Sequence, residues 1–197
     1  GLMLKERPTA SSTAVFYYRG GSAGSRLHPD DLPPNWVEEV ELLHVSGITA
    51  LLSDTARDCI LAAIGRAQST GVQVSFDVNY RSTLAPPDLA GPLLRKIAEN
   101  ADLVFGGIEE LQLLYPDGDA GEAAARLLGG GCREVVLKRG ADGAAVYRGD
   151  VVVEGTYEIG MQDQAFLGLE AALAVPDPGG KGVELHIATQ WLHEDRQ

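Results

Sequence analysis

Residues 53–81 read SDTARDCILAAIGRAQSTGVQVSFDVNYR. Ser53 suits a helix N-cap, and Asp54 puts a carboxylate in the first turn, where the backbone dipole favours it. Apolar residues then recur at helical spacing until Gly71 ends the run, so the pattern predicts a helix over Ser53–Ser69. Val72–Val78 (VQVSFDV) follows as a strand. Upstream, Leu42–Ser46 (LLHVS) is a short apolar run closed by Gly47 and reads as a buried strand. Strand, helix and strand in succession make a βαβ unit, which calls for a parallel sheet.

Moving outward, the alternation continues. Pro87–Ala101 reads as a helix, with Pro87 near its start and Arg95 and Lys96 toward its end. Leu103–Phe105 reads as a strand, Ile108–Tyr115 and Gly121–Leu128 as helices, and Glu134–Lys138 and Ala144–Tyr147 as strands around the turn Arg139–Gly143. Toward the N-terminus, Thr13–Arg19 (TAVFYYR) is β-branched and aromatic, a strand followed by the loop Gly20–Ser25. The expected fold class is α/β, a parallel sheet covered by helices on both faces. Asp77 and Asn79 then fall at the carboxyl end of a strand, where open α/β sheets bind ligands.

The texture changes near residue 150. Residues 151–197 carry eight acidic and two basic residues, and the helix–strand alternation stops. Val151–Ile159 and Gly182–Thr189 read as strands around a turn at Pro176–Gly180, giving a short β-rich C-terminal segment. The expected division is therefore 1–148 and 151–197.

The chain has 28 acidic and 16 basic residues, a net charge of −12. Such a surface repels phosphate backbones and argues against a nucleic-acid partner, while a local arginine pair still suits a small anion. No apolar run nears the roughly 20 residues of a membrane span. Gly1–Arg7 lacks the apolar core of a signal peptide. Two cysteines, Cys59 and Cys132, make no disulfide framework and fit a reducing, cytoplasmic compartment. His186 and His193 are too far apart for a helical metal pair, and no metal site is expected.

Five ordered strings carry a resemblance: Val15–Ser25 (VFYYRGGSAGS), Val45–Thr49 (VSGIT), Ser75–Arg81 (SFDVNYR), Ala101–Phe105 with Glu109-Glu110, and Glu134–Ala141 (EVVLKRGA). Over about residues 13–148 the chain resembles PfkB/ribokinase-type carbohydrate kinases, closest to 2-keto-3-deoxygluconate kinases. The resemblance implies a truncated ribokinase-like parallel sheet and an ATP- and Mg-dependent kinase acting on a sugar acid. Arg19 and Arg81 fall where that family contacts its substrate, and a guanidinium fork suits a carboxylate. Tyr17 offers a hydroxyl or ring, and Asp77 and Asn79 complete the implied substrate side. Glu110, Lys138 and Gly140 match the nucleotide side. Gly107 stands where the family's asparagine helps organise Mg-ATP, a departure that weakens a metal role.

The family's Gly-Ala-Gly-Asp segment, with its anion hole and base, does not occur between Val151 and Gln197, and the family's first strands do not precede Thr13. No catalytic residue is assigned, and the chain is expected to be inactive. Residues 151–196 instead resemble a fragment of the molybdenum-binding subunit of xanthine dehydrogenases, on Glu154–Leu167, Leu173–Pro176 and Ala188–His193. This suggests a fusion. Phe166, Leu167 and Trp191 either pack on the kinase sheet or stay exposed, where they would favour self-association. The open readings are an inactive sugar-acid kinase fragment, a sugar-acid binding module without chemistry, a molybdenum hydroxylase fragment and a translated remnant without function.

Overall fold

The computed structural model describes residues 2–9, 12–149, 151–155, 171–176 and 183–188. Its strands in chain order are β1 (Leu2–Thr9), β2 (Ser12–Tyr18), β3 (Leu42–Ser46), β4 (Gln73–Asp77), β5 (Leu103–Gly107), β6 (Glu134–Lys138), β7 (Ala144–Arg148), β8 (Val151–Gly155), β9 (Ala171–Pro176) and β10 (Val183–Ala188). The helices are α1 (Gly47–Ala50), α2 (Asp54–Thr70), α3 (Pro87–Ala98), α4 (Ile108–Leu114) and α5 (Ala120–Gly129). Three short 3-10 turns lie between Gly24 and Glu39.

The caps explain where the helices begin and end. The Ser53 hydroxyl accepts the Ala56 N–H at 3.1 Å, opening α2 where the sequence places its start. At the far end the Val72 N–H reaches back to the Ala67 carbonyl at 2.9 Å. Helix α5 starts one residue before its sequence reading. Asp119 accepts the Glu122 N–H at 2.8 Å, and Glu122 accepts the Asp119 N–H at 3.1 Å, a reciprocal capping box.

Six strands form the main sheet in the order β3-β4-β5-β6-β7-β8. The first four pair in parallel. The last two pairings are antiparallel, so the sheet is mixed rather than purely parallel. The cause is local: a five-residue turn returns β7 beside β6, and only a helical crossover of a dozen or more residues delivers a parallel neighbour. Val151–Gly155, read in the sequence as the first strand of the C-terminal segment, is the sixth strand of this sheet.

Three successive residues of β4, Val74, Ser75 and Phe76, are buried, so both faces of that strand are covered. Phe76, Val78, Leu94, Ile97, Val104, Leu111, Leu114, Leu127 and Val135 form the fully buried core. Each such side chain contributes about 1.5–3 kcal/mol of transfer free energy. Asp102 ties the strand starts together. Its carboxylate accepts the Val74 N–H at 2.8 Å, and its carbonyl accepts the N–H groups of Arg133 and Glu134 at 2.8 and 3.1 Å.

The chain divides into two units, Gly1–Tyr157 and Glu158–Gln197. In the first, β1 and β2 form a separate antiparallel hairpin, with Met3 opposite Tyr17 and Leu4 opposite Phe16. In the second, β9 and β10 pair antiparallel. The sequence reading of residues 156–159 and 177–180, and of Phe166, Leu167 and Trp191, lies outside the described residues. Among the described residues no helix is long and apolar enough to cross a membrane.

Candidate active site

Parallel pairing brings the carboxyl ends of β4, β5 and β6 side by side, with Asp77 opposite Phe105 and Gly107 opposite Lys138. A cleft of about 350 Å³ opens there, lined by Tyr80, Arg81, Glu109, Glu110, Lys138 and Arg139 among others. A second cleft of about 370 Å³ lies at the opposite ends of the strands, beside Gln73, Asp102 and Arg133. The first holds three cationic groups, Arg81, Lys138 and Arg139, against the one of the second, and sits where open α/β sheets bind ligands, which decides between them.

Close approach of β3 and β4 shapes the floor. A Cβ on Gly47 would collide with the Val78 carbonyl and come within 2.9 Å of the Leu94 Cδ2, so only glycine lets the chain pass. Beyond β4 the backbone turns at Asn79, a non-glycine residue at a φ of +39°. Its side-chain amide donates to the Ser46 hydroxyl at 3.2 Å, which compensates part of that cost. The next two residues, Tyr80 and Arg81, are thereby carried into the cleft wall.

Lys138, the last residue of β6, is the central cation. Its Nζ donates to Asp77 Oδ1 at 2.8 Å and stands 3.6 Å from Glu110 Oε2. Both partners keep solvent contact, so screening limits the pair to about 1 kcal/mol or less, and its use is to orient the lysine. Glu110 accepts the Tyr80 N–H at 2.9 Å on one oxygen and the Gly107 N–H at 2.7 Å on the other. Gly107 has no side chain to return the bond, so only half of a capping box exists at α4.

Of the sequence-assigned residues, Asp77, Asn79, Arg81, Glu110 and Lys138 gather at these three strand ends. Gly140 lies in the turn after β6 at a φ of +60°, a conformation glycine takes without strain. Tyr17 and Arg19 do not line the cleft. They stack on each other at the end of β2, with the Arg19 Cζ 4.3 Å from the Tyr17 ring centroid. The sequence reading missed Ser46 and Arg139. Arg139 donates to Glu154 of β8 at 3.2 Å and to the Ala144 carbonyl at 3.4 Å. Its position beside Lys138 in a quoted motif was the only available signal.

The chain matches the pfkB family carbohydrate kinase pattern over residues 4–159. It is 34% identical over 143 residues to a 2-dehydro-3-deoxygluconokinase of Thermoproteus tenax, covering 71% of this chain and 42% of that protein. A PfkB protein from Polaromonas sp. JS666 superposes with a TM-score of 0.72 at 28% identity, over 78% of this chain and 52% of that one. The aminoimidazole riboside kinase of Salmonella enterica, solved with aminoimidazole riboside and an ATP analogue, gives a TM-score of 0.60 at 26% identity, over 73% and 48%. The fold is ribokinase-like, and the chain belongs to the pfkB family of carbohydrate kinases. It spans about half the length of the relatives it matches. The family match runs through residue 159, so residues 151–159 belong to the kinase pattern and not to the molybdenum-subunit resemblance.

These residues fit the phosphate-bearing part of a nucleotide, because Lys138 and Arg139 both line the cleft and bring two cations to it. They form no all-protein metal cage of the kind that holds an ion without a substrate phosphate. Among the described residues no three His, Cys, Asp or Glu side chains converge. Each Glu110 oxygen already accepts an amide N–H, and Gly107 brings no donor oxygen on a side chain.

Proposed function

We propose that the cleft binds a sugar acid of the 2-keto-3-deoxygluconate class, as the substrate-side part of a carbohydrate kinase. The observation that carries this reading is Arg81. It lines the cleft, its side chain is exposed, and among the described residues its guanidinium makes no hydrogen bond or ion pair. An unpaired guanidinium fork beside a polar cleft suits a planar carboxylate in bidentate fashion. Lys138 and Arg139, which line the same cleft, suit the phosphates of ATP. The family membership and the 2-dehydro-3-deoxygluconokinase relative support the same assignment.

The reading is one of binding. Phosphoryl transfer is positioning plus charge stabilisation, and the sugar hydroxyl needs a base. Residues 1–197 contain no Gly-Ala-Gly-Asp motif, and two of the site's carboxylates, Asp77 and Glu110, are engaged by Lys138 and by backbone amides, while Glu109, which also lines the cleft, has no such bond among the described residues. Calorimetric titration with 2-keto-3-deoxygluconate tests the proposal. Binding that weakens at least tenfold in Arg81→Ala is expected, roughly the worth of one charge-assisted bidentate contact. Absence of heat with the unmodified chain, or an unchanged Kd in Arg81→Ala, would sink it.

A further inference from the structure

The Glu110 carboxylate reaches a segment 30 residues back in the sequence and a second one 3 residues back. One oxygen holds the amide of Tyr80 in the loop after β4, and the other holds the amide of Gly107 at the end of β5. We propose that Glu110 is a positioning residue for Arg81, clamping the Tyr80 amide so that the guanidinium next in the chain is held in the cleft. This rests on the sugar-acid reading above and assigns Glu110 a part in it that a metal-organising role would not predict.

Four bonds hold the loop, and of the two that tie it to the rest of the fold Glu110 supplies the one nearer Arg81. The Tyr80 hydroxyl donates to the Ala85 carbonyl at 2.9 Å, and the Leu84 N–H donates to the Arg81 carbonyl at 2.9 Å. Those bonds close the loop on itself, but neither ties it to the sheet. The Asn79–Ser46 bond ties it toward β3. The Glu110 bond ties it toward β5 and α4, across the cleft floor. Bonds from N–H groups to an ionised carboxylate are about twice as strong as neutral ones. The side chain of Glu110 is only 18% exposed, which limits competition from water. Lys138 lies 3.6 Å away and places a cation beside the carboxylate.

Glutamine at position 110 keeps the length but has one acceptor oxygen, so one of the two amides would face an NH₂ group. Backbone amide exchange followed by NMR reads the clamp with no ligand present. In Glu110→Gln at least one of the Tyr80 and Gly107 amides should exchange about tenfold faster, with the core amides of β4 unchanged. Sugar-acid affinity should fall about tenfold in Glu110→Gln. The same substitution made on Arg81→Ala should cost nothing further, because the clamp acts through that arginine. Affinity for Mg-ATP should stay the same.

Wild-type exchange rates at both amides would overturn the proposal. So would lost Mg-ATP affinity with sugar-acid affinity intact, or equal losses with and without Arg81. If the unmodified chain takes up no sugar acid, the ligand reading fails, and the clamp is judged on the two amides alone. Glu110→Asp, one methylene too short to reach both amides, provides the second variant if the glutamine form does not fold.

Discussion

Cys59 and Cys132 show how burial decides the chemistry of a single side chain. Burial pushes the Cys59 thiol up, reinforced by the nearby Asp31 carboxylate. It also pushes up the Cys132 thiol, whose sulfur donates to the Asp102 and Glu134 carbonyls at 3.3 and 3.2 Å. Thiolate is the nucleophile, so neither cysteine should react with a disulfide reagent at pH 8 in the native protein. Both should react within minutes in denaturant, and fast release from the native chain would mean that the α2 or β6 region opens. Tyr115 makes the matching case for a phenol. Burial, then its 3.0 Å bond to Glu99, raises it to about 12 from an ordinary 10, while Arg95 and Arg126 over its ring oppose the rise. A pKa raised by folding means stability that is fully present below pH 10 and lost as pH climbs through about 12. The absorbance difference between the wild type and Tyr115→Phe should therefore show no phenolate until near pH 12. The variant should also lose less stability than the wild type between pH 10 and 12; an ordinary titration near 10 would show that the Glu99 bond is absent in solution.

At the scale of elements, the two glycines Gly47 and Gly65 separate close packing from helix propensity. Gly47 opens α1 against the Val78 carbonyl, where backbone cannot yield as a flexible side-chain tip can. Gly47→Ala should destabilise by about 3 kcal/mol and lower the urea midpoint, the upper range for overpacking. Gly65 lies on the exposed side of α2 with nothing within 4 Å of an added Cβ. Gly65→Ala should stabilise by roughly 0.5–1 kcal/mol through propensity alone. Equal urea midpoints for the two variants would contradict the packing of α1 on the loop after β4. The same contact positions Asp77 and Asn79, so Gly47→Ala should also disturb the cleft.

For the molecule as a whole, the six-stranded sheet ends in an antiparallel β6–β7–β8 edge, and the cleft lies at the carboxyl ends of the parallel part. The residues proposed to bind can therefore assemble in a chain that spans about half of its relatives. Catalysis asks for more. A positioned base alone is typically worth 10²–10⁴ in rate, and of the site's carboxylates Asp77 and Glu110 are already held by other bonds. Incubation with 2-keto-3-deoxygluconate and Mg-ATP should release no ADP above the protein-free control. Turnover that survives in Asp77→Asn would point to a base elsewhere, and turnover lost in it would assign the role to Asp77.

The sequence by itself determined the alternation of strands and helices from Leu42 to Arg148, because local periodicity, Ser53 as a cap and Gly71 as a stop act within a few residues. It also identified the family, because five motifs in order carry that information without any coordinates. The hairpin strand β1, the start of α5 and the membership of β8 were misread or unseen, since pairing across a sheet is a relation between distant segments. The site divides the same way. Asp77, Asn79, Arg81, Glu110 and Lys138 were legible as residue types at motif positions. Only tertiary structure decided that Lys138 pairs with Asp77, that Tyr17 and Arg19 stack apart from the cleft lining, and that Glu110 spends both oxygens on amides. The physical reason is that hydrogen bonds and ion pairs are set by distances of about 3 Å between atoms far apart in the chain, which only the parallel register of β4, β5 and β6 brings together.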